Sequence, residues 1–211
     1  MFGVGVSDLR VYDWATADGR CGGSPHMHLL CSEAYVVLEG SGSVMTRTFN
    51  GDAETPLEPG HVVWFSPGTV HRLINGGDLR IVVLMQNSGL PEAGDAVFTF
   101  PPAVLADPAA YAEAAAAATP EQARARRDLA IEGFHQDFAS FAEQAVRLKA
   151  DRLDDFERRW RDGALAAAEA TGVQLTALRK GDLAHLHDAA VTLRTPEPRL
   201  GMCGHLQTYP T

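Results

Sequence analysis

Gly22-Gly23-Ser24-Pro25-His26-Met27-His28-Leu29-Leu30-Cys31-Ser32-Glu33, running on to Gly40, is the stretch that decides the fold. It holds a His-x-His pair, a carboxylate five residues later and a glycine seven residues after that. On a β-strand, side chains two positions apart point to the same face. His26 and His28 therefore reach one metal ion from a single strand. Glu33 lies far enough along for a turn or bulge to bring its carboxylate to the same ion.

A second stretch completes the pattern: Gly60-His61-Val62-Val63-Trp64-Phe65-Ser66-Pro67-Gly68-Thr69-Val70-His71-Arg72-Leu73-Ile74-Asn75. Pro67-Gly68 predicts a tight turn, after which His71 enters the next strand. A third imidazole arriving there gives a three-His, one-carboxylate set with one or two coordination positions left for water or substrate. Nitrogen and oxygen ligation of this kind suits Fe, Mn, Ni or Zn as a single divalent ion and does not choose among them.

Together the two stretches resemble the paired motifs of the cupin superfamily. The first follows the family form G-x5-H-x-H-x3,4-E-x6-G through His26, His28, Glu33 and Gly40, but Arg20 stands where the opening glycine belongs. The second follows G-x5-P-x-G-x2-H-x3-N through Gly60, Gly68, His71 and Asn75, with Ser66 in the proline's place and Pro67 one position later. The departures concern turns and leave every ligand position intact. The resemblance covers about residues 1–100 and implies a jelly-roll β-barrel (double-stranded β-helix) with His26, His28, Glu33 and His71 as metal ligands. It says little about the reaction, because the fold hosts many chemistries.

Composition separates this part from the rest. Fourteen of the 20 glycines lie in residues 1–100, whereas residues 101–170 hold 22 alanines. The first half reads as short runs between turn signals: Ala34 to Leu38, Ser43 to Phe49 ending at Asn50-Gly51, Val62 to Phe65, and Leu79 to Met85. The second half reads as helices. Asp107-Pro108 opens one. Thr119, Pro120 and Gln122 form an N-cap, an N1 proline and a capping-box partner. The helix that follows carries Leu129, Ile131, Phe134, Phe138, Phe141, Ala142 and Ala145 mostly on one face. Another runs from about Asp151 to Ala170, stops at Thr171-Gly172, and buries Leu153, Phe156, Trp160 and Leu165. Arg199 to Tyr209 is a candidate final strand returning to the sheet. The expected architecture is mainly β: a barrel over residues 1–100, then a mainly helical extension over 101–211 that covers a barrel face or makes a homodimer interface.

The chain has 211 residues and a formal net charge of −9. That balance argues against nucleic acid or an anionic membrane as partner. A transcription regulator is disfavoured for the same reason: residues 101–211 carry −3 and show no basic stripe. No apolar run is long enough to span a bilayer, and Met1 to Arg10 does not read as a secretory signal. Three cysteines fit a reducing cytoplasm better than a disulfide framework. His61, the His185/His187 pair, Cys203 and His205 read as structural or surface groups, and Cys31 as a small buried hydrophobe.

Apolar wall candidates for the barrel are Val36, Val37, Leu38, Val62, Val63, Trp64, Phe65, Ile81, Val82, Val83 and Met85, of which alternation sends about half inward. Polar candidates for orienting a small-molecule substrate are Tyr35, Arg47, Thr69, Arg72 and Asn75, with Tyr35 sharing the strand parity of Glu33. The expected function is a metal-dependent small-molecule enzyme of dioxygenase or isomerase/lyase type. The alternative is a non-catalytic module that binds a small ligand.

Overall fold

Nine strands carry the first half of the chain and its very end, in a computed structural model that describes residues 3–209. They are β1 (Gly5–Val11), β2 (His26–His28), β3 (Glu33–Thr48), β4 (Gly51–Leu57), β5 (Val62–Phe65), β6 (Val70–Met85), β7 (Ala96–Phe98), β8 (Glu197–Leu200) and β9 (Gly204–Thr208). All pairings are antiparallel. The path β4-β3-β6-β1-β9-β8 is extended by β2 and β5, which pair with β6 and β3, and by β7 on β2. This is the mainly β, jelly-roll architecture expected from the paired motifs, followed by helices.

Two 16-residue strands, β3 and β6, run alongside each other and bend together. Gly40-Ser41-Gly42 read as a turn between two strands. The chain instead continues as one strand, with register shifts between Val37 and Gly42 opposite the stretch of β6 from Asn75 to Ile81. Two observations explain why glycine is needed there. Gly40 has φ +74°, and a Cβ on Gly42 would sit 2.1 Å from the Ile74 carbonyl oxygen. The bend lets one pair of strands serve both layers of the barrel. Alternation then sends Tyr35, Val37, Phe65, Ile81, Val83 and Met85 into the core, while Leu38, Val62 and Trp64 face out.

Eight helices account for most of the rest: α1 (Leu90–Ala93), α2 (Pro102–Leu105), α3 (Pro108–Ala115), α4 (Pro120–Glu132), α5 (Phe138–Lys149), α6 (Leu153–Trp160), α7 (Ala166–Arg179) and α8 (Ala184–His187). The Thr119 capping box forms with Gln122. The single helix expected through Ala145 is broken in two. Gly133 packs so closely that a Cβ would lie 2.1 Å from the Thr99 carbonyl oxygen, and Asp137 caps a new start by accepting from the Ser140 amide. Phe134, Phe141 and Ala145 still reach one buried cluster with Met27, Val70, Val97 and Phe100, on the outer face of β2 and β7.

The expected stop at Thr171-Gly172 does not occur. The chain stays helical from α6 through a wider turn over Arg161–Leu165 to Arg179, and the positive φ that ends it belongs to Gly181. Phe156 is buried, but Leu153 and Trp160 of the same expected stripe are exposed, and α7 buries nothing. β9 pairs with β1, and β8 folds back on β9 as a hairpin. No helix among the described residues is long and apolar enough to cross a membrane.

Candidate metal centre

Strand pairing assembles the centre. His26 lies directly across from His71 in the β2–β6 register. His28 follows on the same face of β2, and Glu33 opens β3 between Phe65 and Met85. All four side chains are buried, and one ligand atom from each falls within 4.8 Å of all the others.

The hydrogen bonds fix what each ring offers. Nδ1 of His26 lies 2.9 Å from the Ser24 carbonyl oxygen and Nδ1 of His71 lies 3.2 Å from that of Thr69. A carbonyl can only accept, so these nitrogens carry the ring protons and the Nε2 atoms carry lone pairs. Burial and the neighbouring His28 push the His26 pKa down to about 3. Burial, with His26 and His28 beside it, holds His71 well below the ordinary histidine range. Yet the two Nε2 atoms sit only 3.1 Å apart. Two neutral imidazoles facing each other through lone pairs have no hydrogen bond to share.

Glu33 Oε2 stands 3.2 Å from His71 Nε2 and 3.6 Å from His28 Nε2, buried and with no hydrogen-bond partner. Burial pushes its carboxyl up to about 7, against the opposing pull of His28 and the Tyr35 hydroxyl. His28 differs from the other rings. Its Nδ1 lies 2.7 Å from the Asp95 carboxylate. Burial disfavours its charged form, but Asp95 and Glu33 outweigh burial and its pKa is raised.

These distances can be compared with coordination geometry. Metal–ligand bonds of about 2.1 Å meeting at tetrahedral or octahedral angles place neighbouring donors roughly 3.0–3.4 Å apart. The spacings of 3.1, 3.2 and 3.6 Å between donors fall at or near that range. Converging lone pairs and an orphaned carboxylate oxygen fit a divalent cation. A buried His/Glu cluster compatible with such an ion is therefore present; the donor types leave Fe, Mn, Ni and Zn open.

The five polar candidates have different placements. Tyr35 is buried against Glu33, with its ring edge-on to Phe65 at 4.9 Å. Thr69 is buried and contributes its carbonyl to His71. Arg72 points away from the four-residue cluster, as the neighbour of His71 on a strand must, and bonds Asp18 at 2.5 Å and Thr16 at 3.2 Å. Arg47 bonds Asp52 and the carbonyls of Phe134 and Gln136. Asn75 holds the bend of β6, donating to the Val11 carbonyl and accepting from the Gly77 and Leu79 amides. The structure thus brings Tyr35 and Thr69 to the centre and employs Arg47, Arg72 and Asn75 elsewhere.

Among the other groups, His61 is exposed, and the His185/His187 pair lies on short α8. Cys31 and Cys203 are buried thiols. Asp95, which orients His28, went unnoticed in the sequence. It sits just before β7 and reaches its partner only because β7 pairs with β2; a lone aspartate before a short apolar run gives no local signal. A surface hollow of about 290 Å³ lies away from the cluster, among Asp154, Glu157, Arg158, Arg161 and Asp162. That set is exposed and its ion pairs are internal to one helix, so the buried cluster, and not the hollow, carries the chemistry.

Residues 14–86 match the family model for the cupin domain. About a third of the chain is therefore similar to the cupin domain, over the stretch that holds all four residues of the cluster. The chain is 41% identical over 54 residues to a glucose-6-phosphate isomerase of Pyrococcus abyssi, a match covering 25% of this chain and 29% of that protein. It is 35% identical over 63 residues to that of Thermococcus litoralis, covering 29% and 33%. The matched stretch therefore spans about a third or less of those relatives. Among solved structures, a double-stranded β-helix protein from Klebsiella pneumoniae aligns at 16% identity and TM-score 0.35, over 43% of this chain and 72% of that one. The capsular polysaccharide assembling protein CapF of Staphylococcus aureus aligns at 24% identity and TM-score 0.33, over 45% and 27%.

Proposed function

We propose that this chain is a metal-dependent enzyme acting on a small molecule, of isomerase or lyase type, with His26, His28, Glu33 and His71 holding one divalent transition-metal ion. The observation that carries the reading is the 3.1 Å approach of two proton-free Nε2 atoms beside an unpartnered carboxylate oxygen. A bound ion of this kind acts as a Lewis acid that polarises a carbonyl or hydroxyl oxygen.

The chain's own residues set the conditions for that chemistry. Asp95 and the Ser24 and Thr69 carbonyls lock the three rings with Nε2 inward. Tyr35, whose pKa burial raises well above the usual phenol range, stays protonated and donates to Glu33. Phe65, stacked on His71 at 4.7 Å, and Phe98, tilted beside His26 at 6.1 Å, give two of the rings apolar neighbours. The local similarity to several glucose-6-phosphate isomerases supports proton-transfer chemistry over oxygen chemistry as the first class to test.

The test begins with metal analysis of protein purified without added metal, followed by titration with Fe, Mn, Ni and Zn. Loaded protein is then incubated in D2O with small hydroxy-aldehydes and hydroxy-ketones, free and phosphorylated. Deuterium entering the carbon next to the carbonyl supports the reading. Oxygen consumption without such exchange turns it to a dioxygenase. Metal uptake with neither leaves a ligand-binding module, and protein that neither contains nor takes up a transition metal overturns it.

A further inference from the structure

Three arginines are buried in this chain, and two of them have a carboxylate. Arg72 is paired with Asp18 at 2.5 Å, and Arg127 with Asp128 at 2.8 Å. The third, Arg126 on α4, is only 7% exposed, yet no ion pair reaches it among the described residues. Its guanidinium donates to two backbone carbonyls, Gly201 at 2.7 Å and Ala115 at 3.3 Å, and its Nε has no partner. Carbonyls supply partial charge only, so a formal positive charge stands uncompensated in a dry environment.

The position of that charge gives it a use. The guanidinium carbon lies 5.2 Å from the centre of the Phe98 ring. Phe98 is the direct cross-strand partner of His26, so both side chains leave the same face of the sheet, and their rings are 6.1 Å apart. One aromatic ring thus links Arg126 to a proposed metal ligand. Ser24, two residues before His26, is fully buried and also leaves its hydroxyl unpaired. The groups whose charge would act on Arg126 are Tyr12, Tyr111 and Cys203. Burial pushes the pKa of each up to about 12, so none supplies a counter-charge near neutrality.

We infer that Arg126 is the anchor for an anionic ligand, a small molecule whose carboxylate or phosphate pairs with the guanidinium while its other end lies at the histidine–glutamate centre. The inference rests on the proposed reading of that centre as a small-molecule site and names the class of molecule it takes. The helical part of the chain then supplies a specificity residue that the barrel itself lacks. A guanidinium suits this role because it binds the planar edge of an oxyanion through two donors and keeps its charge when buried.

The experiment uses the full-length protein, metal-free and metal-loaded, with inorganic phosphate and succinate as separate probes. The Arg126 Nε–H resonance is identified by its loss in Arg126→Lys and followed as each anion is added. The expected result is a saturable shift of that resonance with at least one anion, in the metal-free protein as well, while the Arg124 and Arg127 resonances stay in place. Whichever anion saturates identifies the source of the charge. Arg126→Met should lower that anion's affinity at least tenfold, and Arg124→Met, on the exposed face of α4, should leave it unchanged. No saturable shift with either anion overturns the inference, as does a folded Arg126→Met protein that binds as the wild type does. The wild-type resonance decides the matter even where the methionine variant fails to fold. Anion binding without metal uptake would sink the metal reading and leave this one standing; metal uptake without anion binding would do the reverse.

Discussion

Asp95 accepts from Nδ1 of His28 at 2.7 Å and from the Leu30 amide at 3.3 Å, so one carboxylate fixes both the ring and the chain that carries it. A carboxylate behind a metal-binding imidazole sets its tautomer and raises its basicity, and losing such a partner costs about 10–100-fold in metal affinity. Asp95→Asn is expected to weaken metal binding by that factor with the barrel intact, whereas His71→Ala, which removes a donor, should abolish stoichiometric uptake. Titration of both variants, with a melting curve to confirm folding, checks the difference; a His71→Ala protein with full metal content would show that the donor set is wrong.

The pH dependence of uptake follows from the same groups. Glu33, raised to about 7 by burial, and His28, raised by Asp95 and Glu33 against burial, hold protons that a metal must displace. Below about 7 the apparent affinity should therefore rise with pH, levelling off once both have lost their protons. Linkage in the metal-free protein has two signs. His26 binds its proton less tightly folded than unfolded, so its contribution to stability is lost as pH falls through the window from 6.5 down to about 3. Glu33 binds its proton more tightly folded, so its contribution is lost as pH rises from 4.5 to about 7. Metal titrations at stepped pH test the first statement; affinity that is flat or falling from pH 5.5 to 7 would contradict it.

At the scale of elements, what could be read depended on how local the cause was. The His-x-His parity, the Thr119 capping box and the Asn50-Gly51 hairpin involve neighbours in sequence, and all three form. The bend of β3 at Gly40–Gly42 read as a turn because its cause is the matching bend of β6, more than 30 residues on. The break at Gly133 was equally hidden, since the backbone it approaches belongs to Thr99 and Phe100. Arg47, Arg72 and Asn75 read as candidates for orienting a substrate, whereas the partners they bond, Phe134, Asp18 and Val11, come from distant segments. Gly42→Ala tests the bend directly: its Cβ would lie 2.1 Å from the Ile74 carbonyl oxygen, and relief requires the two long strands to part. Overpacking of this kind costs about 1–3 kcal/mol. A denaturant midpoint equal to that of the wild type would show that the strands do not need this contact.

Across the whole molecule, barrel and helices are joined by contacts that leave little room for independent folding. Met27, Val70 and Val97 of the sheet share one buried cluster with Phe134 and Phe141 of the helical part. Arg47 bonds the carbonyls of Phe134 and Gln136, Arg127 those of Trp14 and Ala15, and Gln136 donates to the Phe100 carbonyl. β9, from the end of the chain, completes the sheet beside β1. Removing the helices would expose the outer face of β2, the strand that carries two of the four residues proposed to hold the metal. The expected outcome is a single cooperative transition, with helical far-ultraviolet dichroism and aromatic signals from the barrel melting together. A metal that binds only the folded centre raises the midpoint of both signals by the same amount, since saturation at 100 times the dissociation constant adds about 2.7 kcal/mol to the whole cooperative unit. If the helical signal melts first and does not respond to metal, the helices are a separate unit. Arg126 would then have no fixed position relative to His26, and the anion-anchoring role would fall with it.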